Sequence, residues 1–201
     1  MPRRFVIVYG DQGEGVHNAG LLFQWAATTH KKEVIQNAFP GVPSSGGATV
    51  EVLHVRSVAD LVRAMSAGNI AYLAYFGHSW DSYLFIGQAA TAGSNLGPTQ
   101  APTVTPVTGL PVGKFVQNAQ IRLFGCRSGH GPRSIAGQLH NYLGIAVFGY
   151  ENSGGSLLTQ DASLGHGQRS VTQQDINQSN FKRGADTWLV PINGTPKFRR
   201  F

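Results

Sequence analysis

The stretch Ile70-Ala71-Tyr72-Leu73-Ala74-Tyr75-Phe76-Gly77-His78 decides the fold of this chain, together with Ile121-Arg122-Leu123-Phe124-Gly125-Cys126. Each is an apolar, aromatic-rich run that closes on glycine and then on a side chain with proton or thiol chemistry. Runs of this length bounded by glycine read as buried strands. Side by side in a parallel sheet, they bring His78 and Cys126 to one carboxyl-terminal edge, where open α/β sheets hold their ligands. A thiol beside an imidazole is the smallest apparatus for nucleophilic acyl transfer, because the ring takes the proton that the sulfur must lose. Cys126 is the only cysteine of the chain.

Working outward, Phe5 to Tyr9 reads as a first strand and Gly10 to Gly15 as a loop. Its glycines are spaced wrongly for the dinucleotide fingerprint, so no cofactor is expected there. Ala19 to Lys32 reads as a helix, Phe39 to Gly47 as a loop and Thr49 to Val55 as a strand. Ser57 is a candidate N-cap for a helix over Val58 to Ser66, with Asp60 in its first turn. Strand, crossover helix and strand in this order make a right-handed unit with parallel strands. After His78, Leu84 to Ile86 reads as a short strand, and 88–113, rich in Gly, Pro and Thr, as one long loop. Phe115 to Ala119 is assigned to a short helix, Pro132 to Leu143 to a second and Ile145 to Tyr150 to a strand. From Glu151 the chain reads as irregular, with a late apolar run at Thr187-Trp188-Leu189-Val190. The expectation is a single α/β domain over 1–201, its core about 5–150, with a mostly parallel sheet flanked by helices.

Composition narrows the function classes. A chain of 201 residues suits one well-cored domain. Charged residues make up only 13 %, against roughly 25 % in ordinary domains. The net charge of +6 is concentrated towards the ends, in Arg3, Arg4, Lys197, Arg199 and Arg200. These read as solvated basic termini; no nucleic-acid motif accompanies them, and nucleic-acid binding is not expected. A single cysteine forms no internal disulfide. The apolar stretch at the N-terminus is too short for a signal peptide, and no run reaches the roughly 18 residues of a membrane span. Cytoplasmic synthesis is expected, with export lacking a cleavable signal left open.

The succession of elements and the two motifs resemble the caspase-like (clan CD) cysteine peptidases, closest to the metacaspase and CHAT-type bacterial members. Phe76-Gly77-His78 is similar to the family's strand closing on Gly-His-Gly. Leu123-Phe124-Gly125-Cys126 is similar to the strand closing on the nucleophile, and Cys126-Arg127-Ser128-Gly129 to a Cys-x-Ser-Gly signature. A histidine about 50 residues before the cysteine fits as well. The resemblance implies a caspase–haemoglobinase three-layer sandwich and a protein or peptide substrate. It implies Cys126 as nucleophile and His78 as proton carrier, with the oxyanion held by the backbone N–H groups of Cys126 and Ser79. The family usually has glycine at the Ser79 position. Phe124 stands where metacaspases commonly carry an aspartate, and the caspase Gln-Ala-Cys-x-Gly sequence is absent. Neither a basic nor an acidic preference therefore carries over.

Other residues are candidates on position alone. Asp81 is placed to orient the imidazole, and Arg127 to favour the thiolate if it turns to the sulfur. His130 is near the cysteine in sequence. Asp81, Arg127, Glu151 and Asp161 are candidates for lining a substrate pocket. No metal site or cofactor is expected. Three functions stay open: a cysteine endopeptidase, in the setting of a bacterial effector or toxin; an α/β-hydrolase-like serine esterase; or a caspase-like binding module without catalysis. The esterase reading takes Gly77-His78-Ser79-Trp80-Asp81 as an imperfect nucleophile elbow, with Asp161 and His166 completing a triad.

Overall fold

The computed structural model describes residues 2–10, 19–37, 41–88, 91–125, 127–151 and 198–201. In chain order its first elements are β1 (Arg4–Gly10), α1 (Ala19–Ile35), β2 (Thr49–Val55), α2 (Val58–Ser66) and β3 (Ile70–Phe76). Four short strands follow: β4 (His78–Trp80), β5 (Tyr83–Phe85), β6 (Asn95–Gly97) and β7 (Val104–Pro106). Then come β8 (Phe115–Phe124), α3 (Ile135–Leu143), β9 (Ala146–Tyr150) and β10 (Phe198–Arg200).

The main sheet runs β10-β9-β8-β3-β1-β2. All its pairings are parallel except the first, where β10 runs antiparallel to β9. Every residue of β3 is buried, as expected of a central parallel strand covered on both faces. On one face Phe5, Ile7, Tyr72, Ala74, Phe76 and Phe124 pack with Phe23, Ala26, Ala27 and Val34 of α1. On the other, Val6, Val8, Leu73, Tyr75, Ile121 and Leu123 meet apolar residues of α2 and α3. The result is an α/β protein in three layers, with α1 on one side and α2 and α3 on the other. No helix among the described residues is long and apolar enough to cross a membrane.

Local chemistry sets the helix ends. The Ser57 hydroxyl accepts from the Asp60 N–H at 3.2 Å, and the Asp60 carboxylate accepts from the Arg56 N–H at 3.0 Å. That bounds α2 at its expected start. The expected start of α3 at Pro132 is corrected. The helix begins at Ile135 behind Ser134, whose hydroxyl accepts from the Gly137 N–H. The Ile135 N–H goes to the Asp81 carbonyl at 2.6 Å, so a distant segment satisfies one of the donors that the first turn leaves without an intrahelical partner.

Three further expectations are corrected. The 88–113 stretch is not one loop: β6 and β7 within it join β4 and β5 in a second sheet, ordered β4-β5-β6-β7. Phe115 to Ala119 is strand, because Phe115 pairs with Ile70 and the sheet overrides local propensity. The shift of register before Gln120 is taken up around Asn118, whose φ is +62°. The basic ends are not simply solvated. Arg4 grips Glu51 at 2.8 Å and donates to the Ala64 carbonyl at 3.2 Å, and Arg199 lies in β10, 3.9 Å from Glu151. Residues 187–190 lie outside the described residues.

Candidate active site

The two deciding stretches lie side by side. β3 and β8 pair in parallel with Tyr75 opposite Leu123 and Phe76 opposite Phe124. The Phe76 and Phe124 rings stack at 4.4 Å, only 6° from parallel. In sequence, His78 follows Phe76 by two positions and Cys126 follows Phe124 by two. Cys126, Asp161 and His166 lie outside the described residues.

His78 opens β4, and its place is fixed from below. The buried Tyr75 hydroxyl donates to the His78 carbonyl at 3.1 Å and to the Phe85 carbonyl at 2.8 Å, one proton shared between two acceptors. Burial raises the Tyr75 phenol far above its ordinary value, so it stays a donor. Gly77 makes this possible, since a Cβ there would fall 2.6 Å from Tyr75 Cζ. The His78 imidazole meets the Phe23 ring edge-on, with centroids 5.0 Å apart. Burial lowers its pKa below the ordinary histidine value, which favours the neutral ring.

This shift predicts a stability effect of definite sign. Above the ordinary value both folded and unfolded forms carry neutral His78, and the group is silent. As the pH falls from there through the lower folded value, the unfolded chain binds the proton first and the fold loses stability. Urea unfolding at about pH 7.5 and about pH 5.5 is expected to show a smaller acid-induced loss in His78→Gln than in the wild type. Equal losses would contradict the burial of this ring.

The turn after β8 is built around Ser128, fully buried. Its hydroxyl donates towards the Gly125 carbonyl at 2.9 Å and accepts from the Tyr150 N–H at 3.0 Å. The adjoining Gly129 N–H donates to the Tyr150 carbonyl at 2.7 Å. Gly129 and Gly149 cross at backbone contact: a Cβ on Gly149 would lie 2.6 Å from the Gly129 nitrogen. Gly125 leaves room for Ser79, whose own Cβ would stand 2.7 Å from one added at Gly125. Arg127 adopts φ +56°, a left-handed conformation that costs a non-glycine residue roughly 1–2 kcal/mol. Such conformations cluster at functional turns.

Arg127 and Asp81 engage one another. The guanidinium meets both carboxylate oxygens, Nε to Oδ1 at 2.6 Å and Nη2 to Oδ2 at 3.1 Å. It also lies 4.5 Å over the Trp80 ring and reaches His130 Nδ1 at 3.2 Å. Asp81 is thus occupied with Arg127 rather than with the imidazole, and the charge of Arg127 is balanced. His130 stands in this cluster, half exposed. Glu151 follows β9 at the same carboxyl edge and faces Arg199.

Ser79 is 5 % exposed, in the middle of β4. A two-residue turn joins β4 to β5, with Trp80 opposite Tyr83 and Ser79 opposite Leu84. A nucleophile elbow needs strand, turn and helix; Ser79 is followed by a hairpin instead. Among the described residues no three His, Cys, Asp or Glu side chains gather as a metal-binding set.

Comparison with protein-family models and with curated proteins gives no match to either. The site therefore rests on its own geometry. Sequence reasoning assigned no role to the Tyr75 or Ser128 hydroxyl, and it offered Arg127 the sulfur of Cys126 as its partner where the structure pairs it with Asp81. The Cys126-Arg127-Ser128-Gly129 signature singles out Ser128 but says nothing of the bonds its hydroxyl makes. Nothing local pairs Asp81 with a residue 46 positions away.

Proposed function

We propose that this chain is a cysteine endopeptidase of caspase-like architecture, with Cys126 as nucleophile and His78 as general base and then general acid. The observation that carries the reading is the in-register parallel pairing of β3 with β8, which aligns the residues preceding His78 with those preceding Cys126. The burial of His78 favours its neutral form, the one that can take a proton.

The chemistry runs in two halves. His78 takes the thiol proton as sulfur bonds to the peptide carbonyl carbon, and the oxyanion that forms accepts from the N–H groups of Ser79 and Cys126. The C–N bond then breaks, His78 hands its proton to the departing amine, and a thioester is left. Water, deprotonated by His78, attacks that thioester; the acid leaves and the thiol regains its proton. A bacterial effector or toxin made in the cytoplasm is the setting this reading suits.

The test exposes a mixed peptide library to wild type and to Cys126→Ala, with cuts read by mass spectrometry. Cuts made by the wild type alone are expected. Identical cuts from both proteins, or none from either, would overturn the proposal.

A further inference from the structure

The β4–β5 ribbon has two unlike faces. Ser79 and Leu84 are cross-strand partners on one face, and both are buried. His78 and Trp80 lie on the other, since residues two apart on a strand share a side. Their partners Phe85 and Tyr83 share that side too. The Tyr83 and Phe85 rings run nearly parallel with centroids 6.5 Å apart. His78 is therefore followed along one surface by three aromatic rings.

Trp80 is 52 % exposed, although tryptophan is normally well covered. Its indole is not loose, because the Arg127 guanidinium lies over it at 4.5 Å and is clamped in turn by Asp81. The ion pair cancels its own charge. Arg127 and Asp81 thus offer a charged substrate side chain no unpaired counter-ion on this surface, whereas an apolar one gains buried area and ring contacts.

We propose that this face, centred on Trp80, is the subsite that selects an aromatic or large aliphatic side chain next to the scissile bond. The inference rests on the peptidase reading and names its substrate class. Trp80 is the specificity-determining residue, and Arg127 with Asp81 are its positioning residues.

The test uses the full chain and a peptide frame varied only beside the cut, with wild type, Trp80→Ala, Trp80→Phe and Cys126→Ala in parallel. The readout is the ratio of cleavage rates at Phe, Tyr or Leu to those at Ala, Asp or Lys; a ratio does not depend on how much of a variant folds. The wild type is expected to favour the large apolar group by about tenfold or more. Trp80→Ala is expected to bring the ratio near one, and Trp80→Phe to keep most of it. A wild-type ratio near one, or a ratio unchanged in Trp80→Ala, would overturn the subsite while leaving the peptidase standing. Wild-type activity no greater than that of Cys126→Ala would instead overturn the peptidase reading, and the subsite with it.

Discussion

Cys126→Ala is expected to lower peptide cleavage by about four orders of magnitude or more. In the proposed reaction the sulfur would form the bond that divides amide hydrolysis into two easier steps, and no other thiol exists in the chain to replace it. What survives would be the small contribution of binding and of the N–H groups around the oxyanion. His78→Ala is expected to fall nearly as far, because without a base the thiol loses its proton only at higher pH. The double variant should be little worse than either single one, as residues acting as a unit are not additive. Steady-state rates on the best library peptide check all three. A serine esterase would behave in the opposite way, tolerating Cys126→Ala and failing with Ser79→Ala.

The second large effect is structural and independent of any reaction. Gly129→Ala is expected to destabilise the fold by about 1–3 kcal/mol, the usual cost of forcing atoms into a packed region. The added Cβ would stand 2.6 Å from the Gly149 carbonyl carbon and 3.0 Å from its Cα, all of it backbone that has no rotamer to yield. The same move would strain the Gly129 N–H bond to the Tyr150 carbonyl and the Ser128 bonds beside it. For a domain of this size each kcal/mol shifts the melting temperature by about 2–4 °C. Gly46→Ala is the control: its Cβ would meet only the Ser44 hydroxyl, at 3.6 Å. Its change is expected to stay within about 0.5 kcal/mol. A Gly129→Ala melting curve that matches the control would contradict the crossing of β9 over the turn after β8.

The elements read correctly from sequence were those whose signals are local. Ser57 and Asp60 announce α2 because the cap uses residues three apart, and the apolar runs of β3 and β8 announce buried parallel strands. Where pairing decided, the reading failed. Strands as short as β6 and β7 show no period of their own and exist because β5 offers an edge to β6 and β6 one to β7. Phe115 is strand because Ile70 stands opposite. The amino-terminal and carboxy-terminal arginines looked solvated because their partners, Glu51 and Glu151, are distant in sequence. At the site, β3 and the position of His78 just beyond it were legible from pattern, whereas β4, the strand that His78 opens, was not. The hydroxyl of Tyr75 beneath it, the hub at Ser128 and the pair Asp81–Arg127 were not, since each joins segments that only the fold brings together.

The most direct measurement is the rate at which iodoacetamide alkylates Cys126 as a function of pH, in wild type and in His78→Ala. One cysteine makes the signal unambiguous. If His78 serves this thiol, the wild-type rate climbs through a midpoint below the ordinary histidine value, where the buried imidazole becomes neutral. His78→Ala then climbs only near about 8.5, as an ordinary thiol does. Superimposable profiles with that higher midpoint would mean that His78 does not act on Cys126, and the peptidase account would fall.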